Sequence, residues 1–369
     1  MYDFVVVGVG PAGARVARRA AEAGHDVLAL EQGSVGDPLA CSGHVSTDIW
    51  EYTGSDAKAT LRQNEVYGAR FHVGGPEVSR NGGDGRDTYT FYKREPVSNV
   101  IDRVGLDRHL AALAEEAGAD VREGHTVTGV EEFADHVEVT AKGPDGTEVF
   151  ETKLVAGCDG PRSRVRDALG LGQPAELLHG VLAFSEEPDD GDFVDVHLTA
   201  PRFFAWRIPR DSGGVEYGLA APPGAHVGRL FEELIDGYEI SVSHRCSGLI
   251  PVGPPERITS RRGFLVGDAA AQTKPFTGGG ILYGMRCADH AIREIDPDRP
   301  TTLAAYEHAW RADLAREIEL GHLLRRAYSL PEPVQRVGLR AAAGEIGVHM
   351  DRPTSVFSVE HLRAMLSWS

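Results

Sequence analysis

Lysine is the scarcest charge in this chain. Of 38 basic residues among 369, only Lys58, Lys93, Lys142, Lys153 and Lys274 are lysines. Acids outnumber bases 55 to 38, for a formal charge of −17. Without a basic surplus there is little to neutralise a phosphate backbone, which excludes a general nucleic-acid binder. An acidic, lysine-poor surface resists salting-out, and a GC-rich genome also favours arginine over lysine; the two together suggest a halophile, an expected haloarchaeal source. The four cysteines, Cys41, Cys158, Cys246 and Cys287, are too few and too scattered for a disulfide framework or a paired metal knuckle, so no metal is expected. There is no run of about 18 apolar residues, which excludes an ordinary membrane-spanning helix, and the N-terminus does not read as a cleavable leader. Together these absences predict a cytoplasmic protein.

What is present begins at once. Residues 3–7 (DFVVV) read as an apolar strand, followed by Gly8-x-Gly10-x-x-Gly13, a helix to about Gly24, and a second strand ending at Glu31. Glycines at that spacing let the backbone approach a pyrophosphate at the positive end of a helix, and Glu31 falls where an acid binds ribose hydroxyls. Two further strand-to-turn junctions follow, LVAGC into Asp159-Gly160 and GFLV into Gly267-Asp268. Downstream, Thr277-Gly278-Gly279-Gly280-Ile281 opens a helix whose free N–H groups suit the pyrimidine edge of a flavin. Either Asp-Gly pair alone reads equally well as a turn. All three elements in this order point to FAD.

The set Gly8/Gly10/Gly13, Glu31, Asp159-Gly160 and Gly267-Asp268 resembles the FAD-dependent group that holds aromatic hydroxylases and geranylgeranyl reductases. Over residues 1–330 the closer similarity is to the geranylgeranyl reductases, including the archaeal enzymes that saturate isoprenoid lipid chains. Ala40-Cys41-Ser42-Gly43 stands where these carry a cysteine-glycine loop, although His44 follows in place of a further glycine. Pro201-Arg202-Phe203-Phe204-Ala205-Trp206-Arg207-Ile208-Pro209 looks like their Pro-x-x-Tyr-x-Trp-x-Phe-Pro signature. Hydroxylases usually have His and Asn where this chain has Ala271 and Ile281.

The resemblance implies an α/β fold: an FAD-binding Rossmann-like domain (1–65, 96–167 and 251–290), an inserted antiparallel β-sheet substrate domain (66–95 and 168–250) and a C-terminal helical region (291–369). It implies that Gly8, Gly10, Gly13, Glu31, Arg103, Asp159, Gly267, Asp268, Gly279 and Gly280 bind FAD. It further implies a reductase acting on a prenyl-chain lipid or its precursor. Saturating a C=C bond needs a hydride and a proton. Reduced flavin supplies the hydride, and the protein supplies orientation, an apolar channel and a proton source. Cys41 and His44 are the candidate proton sources, the first also readable as a buried structural cysteine and the second as a plain loop histidine. Phe204 and Trp206, two apart on an expected strand Phe203–Ile208, share a face that lines a slot or packs as core, with Phe203 and Ala205 opposite. No second nucleotide fingerprint occurs, so the electron donor is NAD(P)H bound transiently or a ferredoxin. The leucines of 320–328, with Arg325 and Arg326, form a candidate peripheral membrane contact or simply a packed helix. The other readings are an FAD-dependent aromatic or quinone hydroxylase and a non-catalytic flavin-binding redox sensor.

Overall fold

β-Branched residues dominate Tyr2–Val7, and the strand lies within a sheet covered on both faces. In the computed structural model, which describes residues 1–37, 41–54, 56–76, 87–345 and 351–352, it belongs to a seven-stranded sheet. Ala40 and the end of the expected helical region, 353–369, lie outside the described residues. The strand order is Asp120–Arg122, Val27–Leu30, Tyr2–Val7, Gly146–Gly157, Val137–Gly143 and Thr126–Glu132, with Gly263–Leu265 pairing off Gly146–Gly157. Tyr2–Val7 is parallel to Val27–Leu30 and to Gly146–Gly157, so their C-terminal ends open on one crevice. Helix Pro11–Glu22 packs against both Arg103–Glu116 and Ile281–Glu294. Phe4, Leu28, Leu154, Phe264 and Leu265 are buried on the two faces of the sheet. Each such side chain contributes about 1.5–3 kcal/mol on transfer from water.

The second sheet has eight strands in the order His244–Val252, Glu176–Ser185, Val215–Ala221, Ala205–Pro209, Phe193–His197, Gly68–His72, Thr88–Tyr92 and Gly344–Glu345. It is antiparallel except where Phe193–His197 meets Gly68–His72 and where Thr88–Tyr92 meets Gly344–Glu345. Helix Val227–Tyr238 covers one face through Phe231, Leu234 and Ile235. A three-stranded sheet, His44–Ser46, Ser98–Ile101 and Arg62–Val66, carries the chain from the cysteine loop towards this wall. Helix Leu303–Ala327 lies along Ile281–Glu294 and buries Tyr306, Trp310 and Leu314. Among the described residues no helix is long and apolar enough to cross a membrane.

One expected element is corrected. The strand begins at Ala205, not Phe203. Arg202 takes a left-handed conformation (φ 57°), and the Phe203 N–H turns back to the Ala200 carbonyl at 3.3 Å. Phe203 therefore stacks on Phe204, with ring centroids 4.4 Å apart and planes 14° from parallel, instead of facing the opposite side.

Candidate active site

The glycine loop after Tyr2–Val7 is shaped by two close approaches. Gly8 has φ +90°, and a Cβ there would lie 2.6 Å from the Cys158 carbonyl oxygen. A Cβ on Gly13 would lie 1.9 Å from the Gly8 carbonyl oxygen. Gly10 differs: nothing lies within 4 Å of its Cβ position, so it faces open space. It is also the N-cap of Pro11–Glu22, which has no side-chain cap and no acid in its first turn. The unsatisfied N–H groups and the positive end of the helix dipole are therefore free for an anion. Glu31 stands beside this loop, its Oε2 accepting from the Val9 N–H at 2.8 Å.

The opposite end of the crevice repeats the device. Gly280 caps Ile281–Glu294, again with no side-chain cap and no acid in the first turn. Arg103–Glu116, by contrast, is capped by Asp102, which accepts from the Gly105 N–H at 3.1 Å. Asp268 Oδ1 lies 2.6 Å from where a Cβ on Gly280 would be, so the Gly267-Asp268 turn and the glycine run meet. Withdrawal from water pushes the Asp268 carboxyl up to about 6, against the pull of Arg103.

Arg103 is at the centre of the crevice. It is only 6 % exposed, and its Nη2 donates to Asp107 Oδ2 at 2.9 Å. Its Nε and Nη1 have no partner among the described residues. A buried guanidinium with two orphaned donors, near enough to Asp268 to feel its charge, fits a pyrophosphate-bearing cofactor such as FAD. Asp159 is engaged differently: its carboxylate accepts from Ser163 Oγ at 2.5 Å and from the Arg164 and Val165 N–H groups at 2.7 and 3.2 Å. Its backbone, not its side chain, abuts Gly8.

The cysteine loop leans on Arg103. Gly43 has φ +68°, and a Cβ there would come within 2.9 Å of Arg103 Cγ. Cys41 is half-buried and free, and burial pushes its thiol up despite Arg103 nearby, so it is protonated at neutral pH. His44 begins a strand, and its Nε2 is 2.7 Å from Ser98 Oγ. Loss of water, with the Lys274 ammonium near it, pushes the ring down to about 4. The near-neutral value expected of a loop histidine does not hold here.

Phe204 and Trp206 share the cleft-facing wall with Phe203, Ile250 and Val252. A Cβ on Gly218 would lie 2.1 Å from the Trp206 ring, so the indole lies across that glycine. A Cβ on Gly278 would lie 3.3 Å from Phe203, which joins this wall to the glycine run. Tyr328 closes the corner, its ring 5.7 Å from Phe204 and its hydroxyl donating to the Phe276 carbonyl at 2.9 Å. Leu323 and Leu324 are exposed, whereas Arg325 is buried. Arg325 bonds Glu176 at 2.8 Å and the Arg202 carbonyl at 3.0 Å, so it does not face outward as the membrane reading requires.

Sequence reasoning passed over Lys274, Asp351, Arg210 and Glu216. Lys274 forms a buried ion pair with Asp351 beside Gly279. A lysine next to Pro275, in a chain with five, was a usable signal. So was Glu216, alone among apolar neighbours in Val215–Ala221.

The fold and the two-ended crevice define an FAD-dependent oxidoreductase. A family model for the FAD binding domain matches residues 1–217. The chain is 30 % identical over 354 residues to digeranylgeranylglycerophospholipid reductase 2 of Methanothermobacter thermautotrophicus, covering 86 % of this chain and 85 % of that one. It is 30 % identical over 356 residues to digeranylgeranylglycerophospholipid reductase 1 of Methanococcoides burtonii, covering 89 % and 84 %. A geranylgeranyl bacteriochlorophyll reductase-like structure from Thermoplasma acidophilum shares the fold, with TM-score 0.85, 23 % identity and coverage of 99 % and 98 %. An anhydrotetracycline hydroxylase from Streptomyces rimosus follows it less closely, with TM-score 0.65 and 21 % identity over 96 % of this chain and 75 % of that one. The chain belongs to the geranylgeranyl reductase family of FAD-dependent flavoproteins.

Proposed function

We propose that this protein saturates the C=C bonds of geranylgeranyl chains in archaeal membrane lipids or their precursors. The observation that carries this reading is the junction of Gly278 with the wall formed by Phe203, Phe204, Trp206 and Ile250. An apolar wall beside the glycine run supports a hydrocarbon substrate next to the flavin end of the cofactor. The names of the relatives support the same substrate class.

Gly8, Gly10 and Gly13 would hold the pyrophosphate at the uncapped helix start, and Glu31 the ribose. Arg103 and Asp268 would face the middle of the cofactor, and Gly267, Gly279 and Gly280 the flavin end. Asp159 acts through the turn it stabilises, bringing the backbone against Gly8. Bound FAD supplies the hydride. Phe204 and Trp206 orient the prenyl chain and exclude water from it. Cys41, held as a neutral thiol, is the better-supported proton source, because the His44 ring is neutral at working pH and already bonded to Ser98. Electrons come from NAD(P)H or a ferredoxin-like protein.

The test is anaerobic incubation of dithionite-reduced protein with geranylgeranyl lipid, read by mass spectrometry. A gain of two hydrogens per double bond is expected, with no hydroxylated product in air. An oxygen-dependent hydroxylated product in place of the saturated chain would overturn the reading.

A further inference from the structure

Glu216 is a carboxylate with no access to water. All seven side chains of Val215–Ala221 are buried, and Glu216 is 0 % exposed. Trp206 Nε1 donates to one of its oxygens at 2.8 Å, and Arg210 Nη1 donates to the other at 2.9 Å. Arg210 reaches further. Its Nη1 also donates to the Ser42 carbonyl at 2.6 Å, and its Nη2 donates to Gln63 Oε1 at 2.5 Å and to the Ile101 carbonyl at 3.3 Å. Its guanidinium lies over the Phe184 ring, 5.3 Å from the centroid.

The geometry of the sheet explains how this chain of contacts is built. Trp206 and Ile208 are two apart on one strand and share a face, and Ile208 is the register partner of Glu216. Arg210 continues the same spacing past the strand end and so reaches the cysteine loop. An unbroken path runs from the Trp206 indole through Glu216 and Arg210 to the carbonyl of Ser42, the residue next to Cys41. An apolar pair of the same volume would avoid the desolvation cost of two buried charges. What it would not supply is a fork of donors that fixes a carboxylate and a loop carbonyl together. Burial pushes the Cys41 and Cys246 thiols up, and the Glu216 charge adds to that at both, opposed at Cys41 by Arg103 and the Gly43 N–H.

We propose that Glu216 and Arg210 are positioning residues, which fix the Trp206 ring and the Cys41 loop relative to each other. This rests on the reading of Trp206 as substrate wall and Cys41 as proton source.

The test uses FAD-loaded protein and two variants. Glu216→Gln keeps an acceptor for Trp206 and removes the charge. Arg210→Lys keeps the charge and loses the fork. Turnover should fall about tenfold or more in each, with KM for the prenyl lipid within about threefold of wild type. The second readout needs no prenyl substrate: the rate of Cys41 alkylation by iodoacetamide, followed by peptide mass spectrometry from about pH 7 to 11. Glu216→Gln should move the Cys41 midpoint downward, since one of the charges opposing the thiolate is gone. Arg210→Lys should raise the plateau rate at least about twofold, because the loop loses its anchor. If both variants alkylate Cys41 with the wild-type midpoint and plateau, the proposal is overturned whatever turnover does. If the alkylation shifts appear while wild type reduces no prenyl chain, the positioning role stands and the assigned reaction falls.

Discussion

The two sheets that wall the crevice bury different kinds of residue. In the strands of the seven-stranded sheet no charged side chain is buried; the strands of the eight-stranded sheet bury His72, Asp195, His197 and Glu216. Each of these is matched: His72 Nε2 is 2.9 Å from Asp195 Oδ1, and His197 Nε2 is 2.6 Å from the Tyr238 hydroxyl. The difference teaches where function sits in each half. The first sheet is an apolar scaffold whose site lies in the loops beyond its strand ends. The second carries its site, Trp206 and Glu216 included, on the strands themselves.

A pair of glycine substitutions would break that comparison most sharply. Gly13→Val drives a side chain into the Gly8 carbonyl, and Gly218→Ala drives one into the Trp206 ring. The first should give protein that holds no measurable FAD after purification or reconstitution, read by absorbance. The second should keep FAD and raise KM for the prenyl lipid about tenfold. If Gly218→Ala also loses FAD, the two walls do not divide the work.

Two buried phenylalanines sharpen it next. Phe264, edge-on to Phe4 and Tyr306 at 6.3 and 5.7 Å, belongs to the first wall, and Phe203 to the second. Truncation of either to alanine should cost about 3–5 kcal/mol in urea unfolding. Only Phe203→Ala should also change turnover per folded, FAD-loaded molecule. Equal effects on turnover would make Phe203 ordinary core.

Acid distinguishes the walls by a further step. Burial, with the His72 ring stacked 4.6 Å away, pushes His197 down to about 4, while Asp195 nearby and the bonded Gly74 carbonyl oppose that shift. The unfolded histidine titrates near its ordinary value of about 6.5. Between those two values the unfolded chain takes up a proton that the folded one does not. This contribution is therefore complete above about pH 6.5 and is lost as pH falls towards about 4, by up to about 3 kcal/mol. Chemical denaturation of wild type and His197→Gln across this range checks it. Parallel acid limbs would remove His197 from the account.

How much of this was legible in the sequence follows from the same contrast. The first wall announces itself because glycine spacing, an apolar strand and an acid at its end are local patterns, and the structure keeps Gly8, Gly10, Gly13 and Glu31 together. Arg103 needed the tertiary fold to show that a helix-start charge is buried beside Asp107. The second wall is built from residues far apart in the chain: Ser42, Gln63, Ile101, Arg210 and Glu216 meet only once four segments are folded. Periodicity could not report that Arg202 turns left-handed and moves Phe203 to the other side. Nor could it report that Arg325 turns inward to Glu176 while Leu323, two residues before it on the same helix, stays out.

The smallest effect on the fold is expected outside both walls. Leu323 is 60 % exposed and Val337 71 % exposed, and Leu324, Leu330 and Val334 are exposed with them along helices Leu303–Ala327 and Glu332–Ala342 and the turn between them. A geranylgeranyl chain of about twenty carbons, at about 0.8 kcal/mol per buried CH₂, leaves a bilayer only along an apolar path. These side chains are the candidate docking surface, next to the Tyr328 corner of the slot. Because Leu323 and Leu324 are exposed, Leu323→Glu with Leu324→Glu should change stability by no more than about 0.5 kcal/mol and leave FAD content unchanged. Co-sedimentation with anionic vesicles should fall about tenfold, since two exposed apolar side chains able to enter the bilayer are replaced by charges that the membrane repels. Turnover on detergent-dispersed lipid should hold, because neither residue touches the aromatic wall. If the variant binds vesicles as tightly as wild type, the helix is an ordinary exposed surface and lipid reaches the slot from another side.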